Sequence, residues 1–472
     1  MATPIPKNEA RFTLPAIALA THGTVLHRAD ASNEPTVGIT TDSRAVVPGS
    51  VFVALRGETH DGHRFVGTAI EKGARVVVVE RGAGIDIAEE ASIVEVDDTL
   101  RAWGDLARAH LVAWRTQAVD GRVVAITGSA GKTTTKELTA ALLAKVAPTH
   151  FTAGNLNNRI GVPSVVFALE KTHRFCVLEM GMSLPGELDA ITDFATPDVA
   201  VVVNVGVAHA EGVGGREGVM REKGAVFRAL RPEGTAIANA DDDFVMRAVA
   251  TTRARRTETF GRGSAHYALV ERTPRGTGSD VVVMAAGRRL AFHCPLPGEA
   301  AAIDLCAAIA AQEAASRELL SAGQIEEALA AVRLFGRGSV RTLANDVLLL
   351  DDTYNANPAS MRVALATLAE LAGTRRKVAV LGEMKELGPL AEEEHAALGD
   401  AIADAGVVLA IGCGGLIGLA LERAAARGVE VVAAPTTAAA AEEAKERVCA
   451  GDAVLVKGSR GVGAEAVVAR IS

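Results

Sequence analysis

The stretch VVAITGSAGKTTTKE, residues 123–137, is an apolar run that stops at Gly128, turns through glycines, and resumes with Lys132 and three threonines. Glycines let successive backbone N–H groups point at one anion, and the N-terminus of a following helix adds partial positive charge. Gly128, Ser129, Ala130, Gly131, Lys132, Thr133 and Thr134 therefore read as a cradle for the phosphates of a nucleoside triphosphate, ATP. Lys132 would neutralise the terminal phosphates, and the Thr133 hydroxyl would hold the Mg²⁺ that accompanies them. The general phosphate-loop pattern has a glycine where this chain has Ile126, so the loop is a shorter Gly-x-x-Gly-Lys-Thr form. An ordinary strand-to-helix turn is the alternative, and the strand before and helix after argue against it.

In open α/β sheets ligands gather at the carboxyl ends of the strands. Glu179 closes one apolar run and His209 lies in NVGVAHAEG after another, so a carboxylate and an imidazole could face the phosphates and their Mg²⁺. From spacing alone, Glu179 could equally cap a helix, His209 could bond backbone, and Lys223 in MREKGAVF could be a solvated surface charge. His60 and His63 in HDGH read as a turn rather than a metal pair. TTDSR, residues 40–44, suits either a phosphate or sugar site or a capping turn. DDTYNANPASM, residues 351–361, is more polar than a turn before Pro358 requires, which makes Asp351, Asp352, Asn355 and Asn357 site candidates.

Long, uniformly apolar runs must position these residues. RVVAIT, FCVLEM, DVAVVVN and TAIAN read as central strands of a parallel sheet, with DVVVMAAGRRLAFHC as a hairpin around Gly287 that makes the sheet mixed. After LFGRGSV the pattern restarts with VLLLDD, KVAVLG, VVLAIG, EVVAAP and AVLVKG, five strands separated by helices as in a doubly wound fold. Before them, SVFVAL reads as a strand and VGTAIEKG as a helix, and the amphipathic stretch 97–114 leads into the phosphate loop. The expectation is an α/β protein of three domains: residues 1–97, residues 98–337 around the phosphate loop, and residues 338–472 as a Rossmann-like sheet. TTAAAAEEAKERV reads as a surface helix.

Composition narrows the class. The chain has 472 residues with 49% apolar and 22% charged, which fits a soluble globular enzyme. A net charge of −8 and 3% aromatics exclude the basic, stacking surface of a nucleic-acid binder. Five scattered cysteines, with no C-x-x-C, exclude a disulfide framework or zinc site and read as buried, reduced core residues. Neither a secretion signal nor a membrane-spanning run is legible, so a cytoplasmic location is expected.

The combination of motifs resembles the Mur ligases over nearly the whole chain. The resemblance rests on TTDSR and DGHRF, then TGSAGKTTTKE, GNLNNRIGVP, EMG, NVGVAHAEG and ANADDD, then DDTYNANPASM, LGEMKELG and VKGSRG. The DDTYNANP and GEMKELG stretches point to the branch that adds D-alanyl-D-alanine, and no D-N-P-R, the mark of a sibling branch, occurs. The resemblance implies an ATP-dependent ligase that activates a UDP-N-acetylmuramoyl-tripeptide carboxylate as an acyl phosphate and passes it to the dipeptide amine. It further implies that Thr133, Glu179, His209 and a carbamylated Lys223 serve Mg²⁺, that Lys132, Lys223, His209 and Glu179 serve catalysis, and that Asn239, Arg337 and Asp352 contact nucleotide. Ser43 and Arg44 would meet the UDP-linked substrate, Asn355 and Asn357 the dipeptide, and the enzyme would act as a monomer. Another amide ligase of the superfamily, such as a folylpolyglutamate synthase, or an ATPase switch would share the phosphate loop. One departure stands out: the family's G-x-H-N-x-x-N-A, which places asparagine near adenine, is here GEAAAIDLCAA, with Ala300, Ala301 and Asp304 in place of histidine and both asparagines.

Overall fold

The computed structural model describes residues 3–30, 34–57, 60–85, 89–206 and 210–472. Its middle layer is a nine-stranded sheet, ordered Arg288–Cys294, Gly278–Ala285, Tyr267–Arg275, Arg256–Gly261, Thr235–Asn239, Val199–Val202, Arg122–Thr127, Phe175–Glu179, Thr149–Phe151. The uniformly apolar runs form its parallel centre, where both faces are covered and alternation is not needed. The hairpin turns at Ala286 and Gly287, with φ of 46° and 81°, which allows two antiparallel strands to meet in a tight connection. The chain leaves Arg122–Thr127 with neighbours already committed on both sides, so the loop that follows sits at a topological switch point, where crevices open.

A five-stranded sheet precedes it, ordered Thr24–His27, Ser92–Val96, Val76–Glu80, Val51–Val53, Ile39–Thr40, with only the first pair antiparallel. The helix Thr99–Gln117 begins on an Asp98 side-chain cap and buries Ala102, Trp103, Leu106, Leu111 and Trp114. That face joins Val51, Val76 and Val94 of the first sheet to Val123, Cys176 and Phe167 of the middle region in one continuous core. Trp103 is fully buried, donates its indole N–H to the Ile160 carbonyl at 3.0 Å, and packs on Phe167 with ring centroids 4.6 Å apart.

The last sheet has six strands, ordered Ser339–Thr342, Leu348–Asp352, Ala453–Lys457, Lys377–Gly382, Leu409–Cys413, Glu430–Ala434. Five correspond to the apolar runs; Ser339–Thr342 is an additional antiparallel edge that the sequence pattern misses, because a strand paired on one side needs no apolar run. Thr149–Phe151 at the edge of the middle sheet escapes for the same reason. The expectation of five buried cysteines also needs correction: all five are free, but Cys449 is exposed. The alanine-rich helix Thr437–Arg447 buries Ala440, Ala441 and Ala444 against the last sheet, which the small side chains permit. No described helix is long and apolar enough to cross a membrane.

Because Trp103 fills the seam between the first two sheets, Trp103→Ala should destabilise the chain by about 3–5 kcal/mol. Urea unfolding followed by circular dichroism measures this; a loss below 1 kcal/mol would show that the two sheets do not share their core.

Candidate functional site

The helix Lys132–Ala144 starts directly from Gly131, whose φ of 78° suits glycine, and no side chain caps its first N–H groups. A Cβ on Gly131 would lie 2.7 Å from a carboxyl oxygen of Asp304, and one on Gly128 would lie 2.9 Å from Val203. Glycine is thus required at both ends of the turn by close approach. Lys132 folds back over the loop and donates to the Gly128 carbonyl at 2.8 Å. Asn204 braces the turn: its carboxamide oxygen accepts from the backbone of Ser129 at 3.0 Å and of Ala130 at 2.9 Å, and its amide donates to the Ala130 carbonyl at 3.1 Å.

Behind the loop, Thr133 donates its hydroxyl to Glu179 at 2.6 Å, and Asn157 donates to the other oxygen of the same carboxylate at 2.8 Å. Glu179 is 1% exposed at the end of Phe175–Glu179, and Lys223 is 2% exposed at the end of the helix Gly215–Lys223. Burial pushes the Lys223 ammonium well below the ordinary lysine range, and nearby Lys132 adds to that shift. Lys132 is also lowered, first by burial and then by Arg337, against the opposing pull of Glu179. The pocket is short of negative charge. Thr133 and Glu179 are hard oxygen donors placed together, which fits Mg²⁺, and among the described residues no cluster of three His, Cys, Asp or Glu could hold a metal unaided. Nucleotide phosphates would have to complete such a site.

Across a cleft of about 820 Å³ the last sheet supplies a second wall. Asp352 ends Leu348–Asp352 and pairs with Lys457, which also donates to the Asn355 carbonyl at 2.9 Å. Asn357 caps the helix Pro358–Ala372 through the Ser360 N–H at 2.9 Å and reaches the Ser129 carbonyl of the phosphate loop at 3.4 Å. Arg337 lies over the Tyr354 ring, 3.7 Å from its centroid. Ser129, Ala130, Gly131, Lys132, Thr134, Glu179, Lys223, Arg337, Asp352, Asn355 and Asn357 all line this one cleft.

The remaining candidates lie elsewhere. Asn239 donates to the Val203 carbonyl at 2.9 Å and accepts from the Asp241 N–H at 2.9 Å, bracing a turn outside the cleft lining. Ser43 and Arg44 form a short turn capped by Asp42, whose carboxylate also binds the Arg44 side chain at 2.8 Å. His63 is a turn residue that accepts from the Glu80 N–H at 2.9 Å through Nε2. His209 lies outside the described residues. Asn157, Asn204 and Lys457 were not singled out in the sequence; each acts on a partner 22 or more residues away, so only the fold reveals them.

Asp304 takes its place against Gly131, in a helix whose buried residues are mostly apolar, with Gln312 and Ser316 the other polar ones. Burial raises its carboxyl well above the usual carboxylate range. The folded chain therefore holds this proton where the unfolded chain releases it, so stability is greatest below the unfolded value of 3.8 and falls as pH rises beyond it. Asp304→Asn should stabilise the chain at pH 8 and leave its stability unchanged near pH 4. Denaturant melts at the two pH values measure this; a pH-independent difference would contradict it.

With this geometry in view, the chain matches three family models: the Mur ligase family catalytic domain over residues 36–111, the Mur ligase middle domain over 126–312, and the Mur ligase glutamate ligase domain over 336–460. It is 37% identical over 380 residues to the UDP-N-acetylmuramoyl-tripeptide–D-alanyl-D-alanine ligase of Escherichia coli K12, covering 79% of this chain and 81% of that one. The Bacillus subtilis ligase of the same name is 32% identical over 97% of both chains. Among solved structures, MurF from Acinetobacter baumannii superposes with a TM-score of 0.84 at 30% identity over 99% of each chain. MurF from Thermotoga maritima in complex with ADP gives 0.79 at 29% identity over 92% of this chain and 96% of that one. From sheet to sheet and over nearly its full length, the chain belongs to the Mur ligase family and is an enzyme of the ligase class.

Proposed function

We propose that the chain uses ATP to join the carboxylate of UDP-N-acetylmuramoyl-tripeptide to the amine of D-alanyl-D-alanine, a step in building peptidoglycan precursors. The observation that carries this reading is the shared cleft: a cationic phosphate cradle on the middle sheet faces Asp352, Asn355 and Asn357 on the last sheet. The curated relatives carry that ligase name, and the Thermotoga relative binds ADP.

A carboxylate is a poor electrophile. In the proposed first step its oxygen bonds to the γ-phosphorus of ATP as the bond to the β-phosphate oxygen breaks, giving an acyl phosphate and ADP. The dipeptide amine then adds to the acyl carbon, loses a proton, and phosphate departs with the electron pair of the broken C–O bond. The residues suit the charge that moves. Lys132 and the uncapped first turn of its helix hold phosphate oxygens in a desolvated pocket, where fixed dipoles act most strongly. Asn204 keeps the loop in shape. Thr133, Glu179, His209 and Lys223 would hold Mg²⁺, which when bound neutralises charge on the transferring phosphoryl group. Lys223 suits carbamylation, since a buried amine depleted of its proton can add to CO₂, releasing a proton and leaving an anion. Asn239, Arg337 and Asp352 are assigned to the nucleotide, Ser43 and Arg44 to the UDP end, and Asn355 and Asn357 to the dipeptide. The enzyme is taken to act as a cytoplasmic monomer.

Phosphate release should require the UDP-tripeptide and D-alanyl-D-alanine together. Turnover with diaminopimelate or D-alanine instead of the dipeptide, or without any UDP-sugar peptide, would reject this assignment. Lys132→Ala should reduce ligation by about 10²-fold or more, the scale expected for one preorganised charge at a transferring group, while leaving the melting temperature near that of the native chain. Near-normal ligation by that variant would remove the loop from the mechanism.

A further inference from the structure

A second cavity, of about 650 Å³, opens at the opposite edge of the middle sheet, where the strands Arg122–Thr127, Val199–Val202, Thr235–Asn239 and Arg256–Gly261 begin. These strands are parallel, so their starts lie together and the phosphate loop lies at the far end, roughly 20 Å away for six residues of strand. Four arginines line it: Arg122, Arg231, Arg256 and Arg317. Its three acidic residues, Asp198, Glu233 and Glu313, do not neutralise them evenly.

Asp198 is already engaged. Its carboxylate accepts from Arg115 at 2.9 Å and from the Val123 N–H at 2.8 Å, leaving Arg122 at 3.9 Å. Glu313 accepts the Tyr267 hydroxyl at 2.5 Å and stands 4.0 Å from Arg256, which pairs with Glu258 at 2.8 Å. Among the described residues, Arg231 and Arg317 have no ion-pair or side-chain hydrogen-bond partner. Behind the wall, the Nε and Nη1 atoms of Arg115 are buried without a partner. Burial lowers the proton affinity of Arg115, Asp198 opposes that shift, and Arg231 and Arg122 add to it. In a chain of net charge −8, such a concentration is a local exception.

We infer that this cavity is an anion site for a small oligophosphate, bound by Arg231 and Arg317 with Arg122 and Arg256 beside them. Planar guanidinium groups pair two N–H donors with two phosphate oxygens, and two unpaired guanidiniums lining one cavity suit a ligand with two anionic centres. The site is separate from the cleft and independent of the reaction assigned to it.

The test is equilibrium dialysis of labelled pyrophosphate without divalent cations, using the full-length Lys132→Ala protein to suppress binding at the phosphate loop. One equivalent should bind, and adding Arg231→Ala and Arg317→Ala should weaken it tenfold or more. On the otherwise native chain the same two substitutions should leave ATP-dependent phosphate release unchanged, since both side chains are exposed and remote from the cleft. Absence of binding to the Lys132→Ala protein, or an affinity that survives loss of both arginines, overturns the site.

Discussion

The structure turns on a concentration of positive charge at the sheltered base of a cleft. Lys223 is buried and Lys132 beside it is half-buried, with Arg337 nearby and Glu179 as the carboxylate acting on Lys132. Burial disfavours each ammonium and each cation disfavours the others, so the arrangement is costly until an anion of high charge density arrives. A triphosphate is such an anion. The same desolvation that burdens the empty pocket strengthens every contact once the phosphates are present, and most of all where charge shifts during transfer.

The fold maintains this arrangement through connections that are distant in sequence. Central strands deliver the loop and Glu179 to one edge; Thr152 holds the Glu179 backbone, and Asn157 and Thr133 hold its carboxylate. The last sheet reaches over the cleft, touching the loop through Asn357 and bracing its helix Pro358–Ala372 against the strand Tyr267–Arg275 through the Arg272–Glu370 pair. An acyl phosphate is hydrolysed by water, so a reaction of this kind requires two walls around one cleft rather than an open loop.

What could be read beforehand follows from how local each signal is. The loop was legible because strand, glycines, lysine and helix are contiguous, and the parallel strands were legible because burial on both faces leaves an unbroken apolar run. From spacing, Glu179 was visible as the residue closing an apolar run and Lys223 as a helix lysine that could be a solvated charge; only the resemblance joined them at one site, and the burial of both is tertiary. Asn204 and Asn157 lie inside stretches that carry the family resemblance, but no role could be read for either, since their partners lie across the sheet. TTDSR admitted two readings, and the structure contains the capping turn, in which Asp42 engages both the backbone and side chain of Arg44. Asp304 was evident as a departure from the family pattern, but its contact with Gly131 required the helix Gly298–Ser316 to be packed against the loop.

The most direct measurement follows an oxygen atom. A UDP-linked tripeptide labelled with oxygen-18 in its reacting carboxylate, turned over with ATP and D-alanyl-D-alanine, should yield orthophosphate carrying one labelled oxygen per amide formed, because the carboxylate oxygen leaves with phosphorus. Unlabelled phosphate accompanying amide formation would mean the acid is activated by another route, and the cationic cradle would lose the role assigned to it.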